Sequence, residues 1–428
     1  MAMHPNRRAS RRRAIQSLAT MMAGSPLLGL VDANGDPVEA AQAGGGAQTG
    51  RQGGPGAARP ADRPDVIRPP AYRDEIMKVI NLHEFEDAAR KSLSVAAYDY
   101  VAAGAGDELT LKANREAFSH YWVRRKVMVD VSKVDTSFEL FGTRYEHPIL
   151  LGPGGGKNIV APDGERLSAQ AARQTKAIMV GGQMPMLAEM GKAGQAPVWW
   201  GATLGEATQA QAVEFAKRSE DSGASALCLT VDYPYTGARD RPSRDQWDPE
   251  WTRTRVYGTA EFRVGFQAGM LDPYTPNLTW AWMKWVRPQT KLPIVVKGIL
   301  TAEDALLAVE YGAAGIVVSN HGGRQLDGVP ATIDVLAEIV DGVGGRIEVL
   351  LDGGIRRGTD VVKALALGAT AVLAGRAPLW GLAVAGDEGV RHVLELLRAE
   401  VELALQLLGC RTPAELTRAH VAPARTLA

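Results

Sequence analysis

The sequence predicts a (β/α)8 barrel, the TIM-barrel class of α/β fold, on three observations. Eight short apolar runs follow one another between residues 147 and 376. Most neighbouring runs are separated by an alanine-rich stretch with helical periodicity, such as ERLSAQAARQTK. The turn after the first apolar run lacks the GxGxxG pattern that is typical of a doubly wound open sheet. We therefore favour a closed barrel over an open sheet, which is the competing arrangement.

The apolar runs are short and β-like, as expected of barrel strands. They are HPILLGP (147–153), KAIMVGGQ (176–183), APVWWGAT (196–203), ALCLTVD (226–232), LPIVVKGI (292–299), GIVVSNH (315–321), IEVLLDGG (347–354) and AVLAGR (371–376). From about residue 73, apolar residues at helix spacing precede the first run. The pattern therefore predicts an N-terminal helical extension ahead of the barrel.

The connection after the fourth run is long. About sixty residues separate Asp232 from Pro293, roughly twice what one βα unit needs. The segment contains five tryptophans: Trp247, Trp251, Trp280, Trp282 and Trp285. Long insertions after barrel strands often form lids or partner surfaces, and a surface loop without a role is the alternative.

Composition excludes several classes of function. Lys+Arg and Asp+Glu each number 48 among 428 residues, so the net charge is zero and nothing favours nucleic-acid binding. The chain contains no run of 18 or more apolar residues, so we do not expect a membrane-spanning helix. The two cysteines, Cys228 and Cys410, form no CxxC motif, so we expect unpaired thiols and no metal site.

The N-terminus differs from the rest of the chain. Basic residues, including the arginine pair Arg11-Arg12, precede a mildly apolar stretch that ends at Ala41-Gln42-Ala43. This layout over residues 1–43 predicts a twin-arginine export signal and a periplasmic or other extracytoplasmic location. A disordered basic tail on a cytoplasmic protein is the alternative. Residues 44–72 are Gly/Pro-rich and predict a disordered linker, which leaves residues 73–428 for the barrel domain.

Glycine-rich turns with arginines follow the last two predicted strands. They read Asp352-Gly353-Gly354-Ile355-Arg356 and Gly375-Arg376. The C-terminal ends of barrel strands face the active site, and phosphate commonly binds after strands seven and eight. Backbone N–H groups of glycine turns and guanidinium forks suit that anion. The sequence therefore predicts a phosphate site here; two tight turns with solvent-exposed arginines are the alternative.

His321 is the one histidine of seven at the C-terminal end of a predicted barrel strand. Imidazole accepts a proton near neutral pH. Asp232, at the end of the fourth run, could orient it, and Arg324 could hold a carboxylate in a fork. Lys297, at the end of the fifth run, adds a positive charge aimed at the same centre. The arrangement predicts a general base beside a carboxylate-binding site.

Five stretches resemble a known family: SNHGGRQLDG, VVKGI, LLDGGIRRGTDVVKALALGA, AGRAPLWGLA and YDYVAAGAGDELTLKANREAF. The family is the FMN-dependent α-hydroxy acid dehydrogenases and oxidases, which include glycolate oxidase, lactate oxidase, mandelate dehydrogenase and flavocytochrome b2. The resemblance extends from about residue 73 to about residue 420. It implies FMN as cofactor, oxidation of an α-hydroxy acid to the α-keto acid, and a homo-oligomer, often a tetramer. The electron acceptor would be external, either O2, a quinone or a cytochrome.

The resemblance also implies a role for each matching residue. His321 would be the base at the reacting carbon, paired with Asp232. The substrate would be bound by Tyr100, Arg239 and Arg324. Residues expected at the cofactor are Pro153, Gly154, Gly155, Thr230, Lys297, Ser319, Asp352, Gly353, Gly354, Arg356, Gly375 and Arg376. Whether the electrons leave as a hydride or through a carbanion stays open.

The end of the third predicted strand departs from the family. Relatives usually carry a Phe-Gln-Leu-Tyr-like run there, whose Gln contacts flavin and whose Tyr contacts substrate. This chain reads Trp199-Trp200-Gly201-Ala202-Thr203-Leu204, with neither side chain. The departure keeps two alternatives open. One is an FMN isomerase or peptide-tailoring oxidase on the same scaffold, and the other is a flavin-binding protein without turnover.

Overall fold

The computed structural model describes residues 76, 78–206, 208–245 and 276–424. The predicted export signal and linker lie outside these residues, so their boundaries stay predictions. Residues 246–275 of the long insertion, with Trp247 and Trp251, also lie outside them.

The strands confirm the predicted barrel. They are β1 (Tyr121–Val123), β2 (Phe138–Leu140), β3 (Thr143–Tyr145), β4 (Ile149–Leu151), β5 (Met179–Val180), β6 (Trp199–Thr203), β7 (Ala226–Thr230), β8 (Ile294–Ile299), β9 (Gly315–Val318), β10 (Glu348–Asp352), β11 (Ala371–Ala374) and β12 (Val421–Pro423). Strands β4 to β11 pair in parallel in chain order, and β11 pairs with β4 to close the barrel. These eight strands are the eight apolar runs of the sequence.

Helices cover the outside of the barrel and form the N-terminal extension. They are α1 (Leu82–Ser92), α2 (Val95–Ala102), α3 (Leu109–Glu116), α4 (Lys157–Val160), α5 (Gly164–Thr175), α6 (Met184–Lys192), α7 (Gln209–Asp221), α8 (Asp240–Asp245), α9 (Ala281–Val286), α10 (Ala302–Glu310), α11 (Thr332–Val343), α12 (Gly358–Ala366) and α13 (Arg376–Leu408). None of the helices in the described ranges is both long and apolar enough to cross a membrane.

The hairpin of β2 and β3 packs against the side chains that fill the barrel interior. Phe138 and Leu140 belong to the same buried cluster as Trp200 and other inward-facing residues. Phe141 reaches Gly315, the first residue of β9, where an added Cβ would lie 3.4 Å from its ring. The hairpin therefore lies at the N-terminal ends of the strands, which leaves the C-terminal ends for a site.

The described part of the insertion is anchored to the barrel by a tryptophan. Trp282 on α9 is fully buried, and its indole N–H donates to Glu206 at 2.8 Å. The Thr203 hydroxyl donates to the same carboxyl group at 2.7 Å. Burial raises the pKa of Glu206, although these two hydrogen bonds oppose the shift. The contact fixes α9 to the end of β6, beside the mouth of the barrel.

Replacement of this tryptophan tests the anchor. Trp282→Phe removes a donor from a buried carboxyl group, so we expect the free energy of unfolding to fall by about 1–3 kcal/mol. Urea denaturation of the variant measures the change. Trp285→Phe, on the same helix but only partly buried, is the matched control. Equal unfolding midpoints for the two variants would contradict the anchoring role of Trp282.

Candidate active site

A cavity of about 520 Å³ lies at the C-terminal ends of the barrel strands. The predicted site residues that line it are Tyr100, Pro153, Gly154, Gly155, Thr230, Arg239, Lys297, His321, Arg324, Asp352, Gly353, Gly354, Arg356, Gly375 and Arg376. Two predicted residues stand behind this wall and touch members of it: Asp232 contacts His321, and Ser319 contacts Lys297. The structure thus brings all the predicted site residues together.

His321 and Asp232 form a hydrogen-bonded pair. Nδ1 of His321 lies 2.9 Å from Oδ1 of Asp232, and we assign the proton to Nδ1 because an ionised carboxylate can only accept. Burial and the nearby Lys297 lower the pKa of His321, against the opposing effect of Asp232. Burial opposes ionisation of Asp232, but Lys297 and His321 outweigh it and lower its pKa. At neutral pH the pair is a carboxylate and a neutral imidazole, which can accept a proton.

A glycine on the intervening strand allows this pair to form. β8 lies between β7, which leads to Asp232, and β9, which leads to His321. Gly298 on β8 has φ +114°, and an added Cβ would lie 2.7 Å from Cβ of Asp232. The pairing of β8 with β9 also shifts register between Lys297 and Ile299. The glycine therefore opens the space that Asp232 occupies beside His321.

The turn that carries His321 is held by an amide pair. The side chains of Asn320 and Asn114 donate to each other at 2.8 Å, and Asn320 also accepts from the backbone of Gly323 at 3.1 Å. His321 has φ +56°, in the left-handed region. An added Cβ at Gly322 would lie 2.7 Å from the Arg376 guanidinium. An added Cβ at Gly323 would lie 2.6 Å from the backbone nitrogen of Leu111, so Gly322 and Gly323 let the turn pack against its neighbours.

The rest of the SNHGGRQLDG motif fixes two other segments. Gln325 donates to the carbonyls of Asp232 at 3.0 Å and Tyr235 at 2.7 Å, so it holds the loop after β7. Asp327 accepts hydrogen bonds from the backbone N–H groups of Thr110 at 2.8 Å and of Leu109 at 3.2 Å. It thereby satisfies two N–H groups at the first turn of α3. Each polar residue of the motif has a defined structural contact.

The predicted carboxylate-binding residues converge on the cavity. Nη1 of Arg324 donates to three backbone carbonyls at the end of α2, at distances between 2.9 and 3.2 Å. These contacts fix the plane of its guanidinium group, which lies 5.5 Å from the ring centre of Tyr100. Arg239 is buried, and its Nη2 lies 3.4 Å from the hydroxyl of Tyr233. Two oriented guanidinium groups at one cavity suit a carboxylate.

Lys297 is a buried cation on the floor of the cavity. Its Nζ donates to the Ser319 hydroxyl at 3.0 Å and lies 3.5 Å from Oδ2 of Asp352. Burial lowers the pKa of Lys297, but the carboxylates of Asp352 and Asp232 outweigh it and raise the pKa above its ordinary value. A permanent positive charge is therefore directed at the cavity, where it can stabilise negative charge.

The predicted phosphate site holds two neighbouring guanidinium groups, of which that of Arg356 is buried and that of Arg376 is partly buried. Burial and Arg115 lower the pKa of Arg356 to about 10. Burial, Arg324 and Arg356 lower the pKa of Arg376 well below its ordinary value. Three nitrogens of Arg376 donate to backbone carbonyls at 2.8 to 3.0 Å, so this residue is not the open fork that the sequence suggested. Arg376 contributes its positive charge and its two remaining N–H groups to the predicted phosphate site.

These residues fit FMN. Cations this close repel one another, and a bound phosphate dianion would relieve that repulsion. Among the residues that the structure describes, Nε of Arg356 and Oδ1 of Asp352 are buried with no hydrogen-bond partner. The first suits a phosphate oxygen and the second a ribityl hydroxyl. Arg356, Arg376 and Asp352 would hold the phosphate and ribityl chain, and Lys297 would hold the flavin ring.

The cavity wall near β4, β5 and β6 consists largely of small residues. Gly154 and Gly155 follow β4, and Gly181 and Gly182 follow β5. Their neighbours along the wall are Ala202, Thr203 and Leu204 at the end of β6. The departure from the family's strand-three pattern is therefore a feature of the cavity surface itself.

Sequence reasoning missed several residues of the site. Tyr233 lines the cavity and directly follows Asp232. It could have been found from the sequence, because residues at the C-terminal ends of barrel strands face the active site. Lys157 and Glu165 line it as an ion pair with a 3.1 Å Nζ–Oε2 distance. Asn114 lines it from α3 in the N-terminal extension. No local pattern marks Asn114, because its partner Asn320 lies 206 residues away in sequence.

Comparison with known proteins places these features in a family context. A family model described as FMN-dependent dehydrogenase matches residues 89–423. "Glycolate oxidase 1" of Oryza sativa subsp. indica is 42% identical over 356 residues, covering 80% of this chain and 96% of the relative. "L-lactate oxidase" of Nostoc sp. is 41% identical over 349 residues, covering 78% and 96%. A crystal structure of mandelate oxidase superposes with a TM-score of 0.72 at 40% identity, covering 80% and 98%.

Proposed function

The chain belongs to the FMN-dependent dehydrogenase family and is an FMN-dependent oxidoreductase of α-hydroxy acids, and from this premise we propose that His321 is its catalytic base. The observation that carries the proposal is the 2.9 Å hydrogen bond between His321 and Asp232, beside two cavity-lining arginines. The product would be the corresponding α-keto acid.

Substrate binding follows from the charges of the cavity. The carboxylate would bind between Arg324 and Arg239, whose guanidinium groups both line it. The backbone carbonyls that hold Arg324 restrict its rotation, so little side-chain entropy is lost when a substrate binds. Tyr100 lines the same region. In this proposal the α-carbon of the bound acid faces His321, which lines the same cavity.

Proton transfer follows from the state of the His321–Asp232 pair. With Nδ1 hydrogen-bonded to Asp232, Nε2 of His321 is the nitrogen that can accept a proton from the substrate. Asp232 then stabilises the imidazolium that forms. FMN, when bound, supplies the acceptor for the two electrons that the substrate loses. The positive charge of Lys297 would stabilise negative charge on the bound cofactor.

Anaerobic mixing tests this proposal. The yellow holoenzyme is mixed with glycolate, (S)-lactate and (S)-mandelate, and bleaching of the flavin absorption is followed. We expect at least one acid to bleach it, and His321→Gln to slow bleaching by about 100-fold or more while FMN stays bound. The exposed His120→Gln is the control. Unchanged bleaching in His321→Gln would rule out His321 as the base.

We propose O2 as electron acceptor because several relatives are named oxidases, so admitting air should restore the colour.

The pH profile tests the protonation state of His321. Only the neutral imidazole can accept a proton, and the pKa of His321 lies below its ordinary value of 6.5. We therefore expect kcat/KM to stay level from neutral pH down past about 6.5 and to fall only below it. Asp232→Asn should lower the pH-independent value of kcat/KM by about 100-fold. It should also shift the acidic decrease of kcat/KM to lower pH, because Asp232 raises the pKa of His321. An acidic fall at or above 6.5 in the unaltered enzyme would contradict this assignment.

We also propose export through the twin-arginine signal at residues 1–43, with a periplasmic or other extracytoplasmic location. The support is the sequence layout alone, with Arg11-Arg12 ahead of an apolar stretch. Replacing Arg11 and Arg12 with lysine should retain the protein in the cytoplasm, as measured by cell fractionation. Replacing Arg7 and Arg8 with lysine is the control and should leave export unchanged. Export of the Arg11→Lys, Arg12→Lys variant would contradict the proposal. The homo-oligomer implied by the resemblance stays a prediction.

A further inference from the structure

We propose that Arg241 is a positioning residue for substrate binding, because its ion pairs with the N-terminal extension hold Arg239 at the cavity. The inference rests on the proposed function, since it concerns the carboxylate site of that reaction. Arg239 lines the cavity, whereas Arg241, two residues further along the same segment, is not among the described residues that line it. Arg241 therefore acts on a substrate through Arg239 and not by direct contact.

Arg241, on α8, binds two carboxylates of the N-terminal extension. Its Nε and Nη2 each lie 2.8 Å from Oε1 of Glu108, and its Nη1 lies 3.1 Å from Oδ1 of Asp99. The three side chains are between 15% and 32% exposed, so salt screens these pairs less than fully exposed ones. Burial lowers the pKa of Arg241, but Glu108 and Asp99 outweigh it and raise the pKa. The contacts therefore tie α8 to the extension.

A backbone hydrogen bond from the extension holds the other side of Arg239. The N–H group of Gly106 donates to the carbonyl of Ala238 at 2.9 Å. Ala238 comes directly before Arg239 in the chain, and Arg241 comes two residues after it. The extension therefore fixes the backbone on both sides of Arg239, and that backbone determines where the guanidinium group can lie.

The turn between α2 and α3, which makes these contacts, is itself held by other hydrogen bonds. Oε1 of Glu108 also accepts from the backbone N–H group of Gly104 at 2.9 Å. Glu108 has φ +62°, in the left-handed region, which persists only where its surroundings enforce it. The N–H group of Ala105 donates at 2.8 Å to the carbonyl of Gly323, in the SNHGGRQLDG motif. The turn is thus a fixed support for α8.

The same part of the extension supports the second carboxylate-binding arginine. Arg324 donates to three backbone carbonyls at the end of α2, and Asp99, which pairs with Arg241, lies on the same helix. The two guanidinium groups that would bind one carboxylate therefore take their positions from residues 99–108. Without the ion pairs of Arg241, Arg324 would keep its contacts while Arg239 gained freedom to move, so the two groups would no longer be preorganised for one ligand.

Oxalate binding to the oxidised holoenzyme tests the inference independently of turnover. Oxalate carries the carboxylate of the substrate but has no C–H bond to oxidise, and its binding is measured from the change in flavin absorption. We expect Arg241→Gln to weaken oxalate binding by about 10-fold, because Arg239 is held less precisely. KM for a hydroxy acid should rise by a similar factor while kcat changes by less than about twofold. Arg418→Gln is the matched control, because Arg418 also binds a carboxylate, that of Asp341, and does not line the cavity.

Two further variants separate positioning from charge. In an Arg239→Gln background, Arg241→Gln should weaken oxalate binding no further, because the residue through which it acts has been removed. Asp99→Asn removes a negative charge, and by charge alone that change tightens the binding of an anion. We expect it to weaken oxalate binding instead, because it weakens the ion pair with Arg241. Asp99→Asn also tests the ion pair if Arg241→Gln folds poorly.

Three results would overturn the inference. They are unchanged oxalate affinity in Arg241→Gln, a further loss of affinity when Arg241→Gln is added to Arg239→Gln, and unchanged or tighter binding in Asp99→Asn. The last two would show that Arg241 acts by its charge and not through Arg239. If no hydroxy acid bleaches the unaltered holoenzyme, the proposed function fails, whereas the oxalate titrations still report on Arg241.

Discussion

The hydrogen bond between Asp232 and His321 is the interaction on which the site depends. It joins the ends of two barrel strands that are not neighbours, because β8 lies between them. Gly298 makes room for it, and Asn320 and Asn114 hold the turn from the other side. A left-handed φ at a non-glycine residue costs of order 1–3 kcal/mol and persists only where its surroundings enforce it. The neighbouring contacts of His321 are strong enough to enforce it.

Charge balance is the second constraint on the site. The cavity gathers Lys297 and several arginines. Asp352 and Asp232 are the carboxylates near Lys297, and Glu86 and Asp360 are those near Arg356. Burial and repulsion from neighbouring arginines lower the pKa values of Arg356 and Arg376. Two anions would balance these charges: the phosphate of FMN on one side and a substrate carboxylate on the other. The two binding sites are therefore coupled through one set of charges, although each has its own ligands.

Much of the fold and site could be predicted from the sequence because strand ends in a barrel share one face. Eight apolar runs predicted eight strands, and the residues that follow them predicted the site. Strand bounds were less accurate: KAIMVGGQ contains only the two residues Met179–Val180 as strand. The left-handed His321 and the Asn114–Asn320 pair could not be predicted, because each depends on segments distant in sequence. The cavity role of Tyr233 was missed for another reason, since the resemblance drew attention to the family's own positions.

The geometry also bears on whether the chain has lost turnover. A protein that only binds flavin needs the phosphate cluster and Lys297, but it has no use for an ionised Asp232 beside a neutral His321. That pair is half-buried, desolvation opposes the charged form of both groups, and His321 lies in a strained turn. Without a reaction to serve, substitutions that relieve these costs would stabilise the fold. The altered end of β6 would then affect how a substrate is held, while the proposed base His321 and its partner Asp232 stay in place. The structure therefore favours an enzyme with a changed substrate pocket over a flavin-binding protein without turnover.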